Sequence, residues 1–336
     1  MILVSGATGI IGSHVVMNLL LKGEKVIACT GNEINKIKLK KLLGYYQQES
    51  LYSLVIWREM LFNDIYSIET ALENVRAVYH CAGIVSFNSK DRKKLYEINE
   101  YGTANLVNAC LTMNIPLCHV SSIATLNNAD YKNELNEDVF WKKSGNESDY
   151  AISKYKGELE VWRGIEEGLN AVIVNPGIVL SPGFWEQSSS QLFGLCDKGL
   201  KYYTSGISAY ITADDTSKIM IELMNKRKYA NRYILIENNY SYKNVLQLIS
   251  THLDKSTALK EIGPFTITLF YRLEKIMAFF RLKKARLSKS AIRSLYNQQK
   301  FSNKKISAEL NYNFTAISGE IERICKIYRK EHPSRA

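Results

Sequence analysis

Short apolar runs recur along the chain at residues 2–4, 26–28, 54–56, 75–79, 115–120 and 171–174, and patterns of helical period fill the intervals. Runs this short and this uniformly apolar read as strands buried on both faces, and strands that alternate with helices pair in parallel. The pattern predicts an α/β fold, a doubly wound parallel sheet with function at the carboxyl ends of its strands. At 336 residues the chain can bury a sizeable core, and neither a solenoid repeat nor a low-complexity linker divides it. Residues 1–180 are expected to form the sheet domain, with a core extending to about 235 around an inserted loop. Residues 181–336 should form a smaller, mostly helical lobe interleaved with it.

The first run leads into Gly6, Gly9 and Gly12, within the stretch ILVSGATGIIGSHVV, where a strand turns into a helix. Glycine permits the tight turn and lets a pyrophosphate approach the helix N-terminus, whose unpaired N–H groups and dipole favour negative charge. A glycine triplet alone is weak evidence, but this strand and helix context points to a Rossmann-type dinucleotide site. Downstream, Ser121 and Ser122 follow the run IPLCHV, and Tyr150 and Lys154 stand one turn apart in a helical segment. At that spacing both side chains share a helix face and can reach the same nicotinamide ribose. A tyrosine with a pKa near ~10 is a poor proton-transfer group at neutral pH. A nearby ammonium and an oxidised nicotinamide would favour its phenolate. A serine hydroxyl would then hold the substrate oxygen while Tyr150 gives or takes the proton.

The order of these motifs resembles the extended branch of the short-chain dehydrogenase/reductase superfamily, the NAD-dependent epimerase/dehydratase family. The likeness rests on GATGIIG at 6–12, His80-Cys-Ala-Gly83, Asn99 before YGTANLVNAC, then Ser122, Tyr150, Lys154 and Asn175-Pro-Gly177. It covers about residues 1–225 well and the remainder loosely, and is nearest to dihydroflavonol reductase and 3β-hydroxysteroid dehydrogenase-like members. The resemblance implies that Gly6, Thr8, Gly9, Ile10, Ile11 and Gly12 hold the cofactor phosphates. It implies further that Ala82 and Gly83 line the adenine side, that Asn99 supports the active site, and that Pro176 and Gly177 lie along the nicotinamide. It gives Ser122 the catalytic place and Ser121 the supporting one, and it implies a homodimer through helices at about 90–113 and 148–167.

The cofactor is expected to be NAD or NADP. The second strand should end in an acid for NAD or a nearby arginine for NADP, yet Thr30 and Gly31 stand there. Lys36 and Lys38 follow closely and tilt the expectation slightly towards NADP. Leu61 stands where the family has an adenine-side aspartate, and Asp64 belongs to the following turn.

Charge changes the picture only at the far end. Of the 44 basic and 33 acidic residues, 23 and 8 respectively fall in residues 225–336. Basic and apolar positions interleave through 265–305, which suits a helix lying on an anionic membrane surface. The alternative is that Leu269, Leu273, Ile276 and Phe280 face the second lobe. No segment reaches the ~20 apolar residues of a spanning helix. No nucleic-acid module accompanies the charge, so no nucleic-acid partner is expected. The six cysteines form no CxxC pair, and the five histidines show no metal-ligand spacing. Free thiols and no metal site follow. The apolar strand that begins at Met1 leaves no room for a leader, so a cytoplasmic location is expected.

Three function classes result. The first is an enzyme exchanging hydride with a ketone or secondary alcohol on a small, hydrophobic substrate. The second is a nucleotide-sugar epimerase with tightly bound NAD. The third, a dinucleotide-sensing regulator without turnover, is disfavoured by the intact Tyr150 and Lys154. Ile123 and Ala124 replace the Asp-Glu pair of the superfamily's sugar dehydratases. Within the loop SPGFWEQSSSQLF, Phe184, Trp185 and Phe193 form either an apolar substrate wall or part of the core. The absence of arginine between 164 and 226 weakly disfavours a diphosphate ligand.

Overall fold

Each apolar run contributes a strand: β1 (Ile2–Ser5), β2 (Val26–Cys29), β3 (Ile56–Arg58), β4 (Ala77–His80), β5 (Leu117–Val120) and β6 (Ala171–Pro176). Further along lie β7 (Ile178–Leu180), β8 (Tyr202–Tyr203), β9 (Ile207–Thr212), β10 (Asn231–Leu235), β11 (Asn238–Ser241) and β12 (Lys260–Glu261). The structure, a computed structural model, describes all residues except 32, 127–133, 143, 146, 269–288 and 334–336. Its helices are α1 (Ile10–Leu21), α2 (Lys36–Tyr45), α3 (Ile65–Ala71), α4 (Arg92–Tyr96), α5 (Gly102–Thr112) and α6 (Asp149–Glu166). There follow α7 (Gln191–Asp197), α8 (Ala213–Asn225), α9 (Tyr242–His252), α10 (Lys289–Ser294), α11 (Lys304–Leu310) and α12 (Ile317–Glu331).

Seven strands form a parallel sheet in the order β10-β6-β5-β4-β1-β2-β3, so the chain reverses direction across the sheet between β1 and β4. The crevice at such a reversal is where doubly wound sheets bind ligands. Successive side chains of a strand point to opposite faces, and β1 shows the consequence. Ile2 and Val4 pack with Val15, Leu19, Ile219 and Leu223 on one side. Leu3 packs with Ile68, Leu106, Val107 and Val161 on the other.

Two elements depart from the sequence pattern. The third run was expected at 54–56, but Glu49–Leu54 coil into a 3-10 helix and the strand starts at Ile56. As an edge strand, β3 leaves Ile56 exposed, so apolar character did not mark its limits. The helix expected over 90–113 is interrupted between α4 and α5 by a π-helical turn at Glu97–Tyr101. There the Asn99 carbonyl meets Gly157 of α6 so closely that a Cβ on the glycine would sit 2.0 Å from the oxygen.

The second lobe combines the β11-β9-β7 sheet with α7, α9 and α12 around Phe193, Tyr210, Ile249, Ile321, Ile324 and Tyr328. Phe193 is fully buried in this core. Trp185 lies edge-on to Phe193 and Tyr328 and donates its indole N–H to Glu331 at 2.6 Å. Those two aromatics are therefore packing residues that fasten the loop to α12, and the substrate-wall alternative is set aside for them. Leu269, Leu273, Ile276 and Phe280, with the rest of 269–288 in the basic 265–305 stretch, lie outside the described residues. Among the described residues, no helix is long and apolar enough to cross a membrane.

The contact between α6 and the π turn gives a direct test. Gly157→Ala should destabilise the protein by roughly 2–3 kcal/mol through overpacking. Urea denaturation measures it, and an unchanged midpoint would mean the two helices are not held this closely.

Candidate active site

Gly6 ends β1 at φ +64, and a Cβ on it would lie 2.6 Å from the backbone nitrogen of Ala82. A Cβ on Gly12 would lie 2.2 Å from the Gly6 carbonyl. These contacts draw β1, the start of α1 and the segment after β4 together as only glycines allow. Gly9 precedes α1 and offers no side chain to cap its first N–H groups. Helix-start donors without a protein cap suit a pyrophosphate, so the turn fits the dinucleotide read from the motif. Thr8, Ile10 and Ile11 are partly exposed around it.

Behind the turn runs a chain of buried polar groups. Ser5 Oγ lies 2.7 Å from His80 Nδ1, and His80 Nε2 lies 3.1 Å from Thr103 Oγ1. Thr103 donates its only hydroxyl proton to the Asn99 carbonyl at 2.8 Å, so His80 must donate from Nε2 and accept from Ser5 at Nδ1. Burial, with the Lys154 charge adding to it, pushes His80 down to about 3, in keeping with this neutral tautomer. Asn99 accepts from the Ile84 N–H at 2.8 Å and donates to the Ile84 carbonyl and to Ser153, both at 3.0 Å. The π turn thus pins the loop that follows Ala82 and Gly83. A Cβ on Gly83 would be 3.7 Å from Lys154 Nζ, which puts this glycine beside the lysine.

Ser148 caps α6 with its hydroxyl, which accepts from the Ala151 N–H, and the helix carries Tyr150 and Lys154 into the crevice. Lys154 is 4% exposed and donates to the Val120 carbonyl at 2.6 Å. Burial brings Lys154 down to about 8, against the opposing pull of Glu158 and Cys81. Burial holds Tyr150 above its ordinary value, while a hydrogen bond with Ser122 pulls the other way. The two serines have separate surroundings. Ser122 caps the short turn after β5 by accepting from the Ala124 N–H and faces Tyr150. Ser121 is buried and donates to Glu158 at 2.6 Å. Pro176 closes β6, and Gly177 packs so tightly that a Cβ would lie 2.5 Å from the Ala209 carbonyl.

At the ribose end, Thr30 follows β2 and Gly31 is open. Lys36 pairs with Glu33 at 2.6 Å and lies over the Trp57 ring. Arg58 is spent on the Ala71 and Glu73 carbonyls at the end of α3. Asp64 caps α3, as its place in the turn suggested.

Some of the site was not read from the sequence. Phe87 lies edge-on to Tyr150 with ring centroids 5.9 Å apart, and both Phe87 and Val85 are exposed. Glu158, one turn beyond Lys154 on the same helix face, binds Ser121, Thr125, Asn175 and Arg232. Its spacing from Tyr150 and Lys154 was visible, but its partners come from three distant parts of the chain.

A family model described as the NAD dependent epimerase/dehydratase family matches residues 2–231. Sterol demethylase protein B of Methylococcus capsulatus is 27% identical over 252 residues, covering 73% of this chain and 72% of the relative. A bifunctional dihydroflavonol 4-reductase/flavanone 4-reductase of Malus domestica is 25% identical over 263 residues, covering 73% and 74%. In three dimensions, Thermus thermophilus UDP-glucose 4-epimerase, solved in complex with NAD, superposes with a TM-score of 0.72 at 19% identity over 98% of both chains.

The buried lysine predicts a pH dependence. Folding lowers Lys154 from 10.5 to about 8, so between those values the unfolded chain holds the extra proton. The lysine's own contribution to stability should rise with pH through that window, by about 3 kcal/mol, while the buried thiols, all held above their ordinary value, act in the opposite sense. Urea melts at the two ends should therefore show the wild type gaining on Lys154→Met by about that amount, since the thiols are common to both proteins; an unchanged difference between the two would contradict the assignment.

Proposed function

The chain belongs to the NAD dependent epimerase/dehydratase family, and from that premise we propose that it is a reductase. It would use dissociable NAD(P)H to reduce a ketone on a small, hydrophobic substrate, and would oxidise the matching secondary alcohol in reverse. The observation that carries this reading is Ser122 facing Tyr150, one turn from buried Lys154, with Phe87 against the tyrosine ring. The dinucleotide, when bound, supplies or accepts the hydride.

The protein's own groups do the rest. Gly6, Gly9 and Gly12 let the pyrophosphate reach the start of α1, and Lys154 holds the nicotinamide ribose. Ser122 holds the substrate oxygen, and Tyr150 passes it the phenolic proton. A phenol kept protonated by burial is ready to act as the acid in reduction. Exposed Phe87 offers an apolar flank beside Tyr150, which suits a hydrophobic ketone better than a sugar diphosphate. For the cofactor, Thr30 and Gly31 directly after β2 are neither an acid nor an arginine, and we retain NAD or NADP with a slight preference for NADP. The epimerase reading is supported by the fold it shares with the Thermus enzyme.

Mass spectrometry of a denatured extract separates the two readings. Empty protein that binds added NADPH or NADH supports the reductase, whereas near-stoichiometric retained NAD would favour the epimerase. Within the site, Tyr150→Phe should lower turnover by about 10²–10⁴-fold while leaving dinucleotide affinity near the wild-type value. Ser122→Ala should cost more activity than Ser121→Ala; the reverse order would exchange the roles of the two serines.

A further inference from the structure

Glu158 is almost wholly buried, at 2% exposure, yet no step described so far uses it. Its Oε2 accepts from Ser121 at 2.6 Å, from Asn175 at 2.9 Å and from Thr125 at 2.9 Å. Its Oε1 pairs with Arg232 at 3.2 Å. These partners hold the end of β5 beside Ser122 and the end of β6 beside Pro176, and Arg232 reaches across from β10. Arg232 also donates to the carbonyls of Glu137 and Val139, so it keeps acceptors of its own apart from the glutamate. A buried carboxylate is costly unless donors and a counter-charge satisfy it, and here three neutral donors and one guanidinium do so.

We propose that Glu158 is a positioning residue of the Ser122–Tyr150–Lys154 site, fixing the two strand ends and preserving the positive charge of the lysine one turn before it. The inference rests on the reductase reading above. The charged and titratable groups that bear on Lys154 are Tyr150 and Glu158 from its own helix, Cys81 and His80 from the β4 side, and His119 from β5. Burial keeps both histidines neutral and the Cys81 thiol protonated. Glu158 is then the anion among them, and it opposes the burial that strips Lys154 of its proton.

The test follows binding of NADPH, and of NADH, by fluorescence from neutral to alkaline pH, using whichever the wild type binds more tightly. Wild-type affinity should weaken with a midpoint near the Lys154 value of about 8 as the ammonium is lost. Glu158→Gln should move that midpoint down by about one pH unit or more, because an opposing charge has gone. A role in packing alone would weaken binding equally at every pH. The double variant Glu158→Gln/Arg232→Met removes both members of the ion pair and leaves no unpaired buried guanidinium. It should keep the lowered midpoint, and it decides the matter if the single variant does not fold. An unmoved midpoint in Glu158→Gln, or a wild-type midpoint regained in the double variant, would overturn the role assigned to Glu158 and leave the reductase reading intact. Failure of the wild type to bind both NADPH and NADH would remove that reading and this inference with it.

Discussion

One lysine ammonium, buried at the carboxyl end of β5, sets the terms for everything around it. A charge taken out of water needs hydrogen bonds and a counter-charge, or it sheds its proton. Lys154 has the Val120 carbonyl at 2.6 Å and the Glu158 carboxylate one turn along its helix. The groups on its other sides are consistent with that requirement. His80 stays neutral inside a chain of hydroxyls, and Asn99, an uncharged amide, fills the space across from Gly83.

Backbone proximity is the second requirement. Gly6, Gly12, Gly157 and Gly177 each face a backbone atom that a Cβ would strike. Two of these contacts close the turn after β1, one seats α6 on the π turn, and one sets the end of β6 against β9. Main-chain approach thus sets the turn before α1 and the seat of α6, the helix that carries Tyr150 and Lys154. Side-chain packing then locks the layers, with β1 feeding the cores on both faces of the sheet.

Much of this was legible in the sequence because it is local. Central strands such as β1, β4 and β5 are buried on both faces and announce themselves as apolar runs. The glycine turn and the Tyr150–Lys154 spacing obey the geometry of one turn or one helix. What escaped is long-range. The π turn at Glu97–Tyr101 exists where α5 meets Gly157, 58 residues after Asn99. The Glu158 hub joins groups from Ser121 to Arg232, and nothing in the neighbourhood of 158 marks the distant members. Phe193 and Trp185 looked equally suited to a pocket wall or a core, and only the position of α12 decided between them. The end of β2 stayed ambiguous for a different reason: Thr30 and Gly31 carry neither of the charges that discriminate the two cofactors.

The central claim is that this buried lysine and its tyrosine serve hydride exchange with a hydrophobic ketone. The most direct measurement is isotope transfer from NADPH and NADH deuterated at the transferable C4 position, against a panel of hydrophobic ketones including 3-ketosteroids and dihydroflavonols. Deuterium should arrive at the carbinol carbon of the product with the wild-type protein, and Tyr150→Phe should nearly abolish the transfer. A protein that binds the dinucleotide but leaves the label in place across the panel, or transfers it equally well without the phenol, would contradict the account.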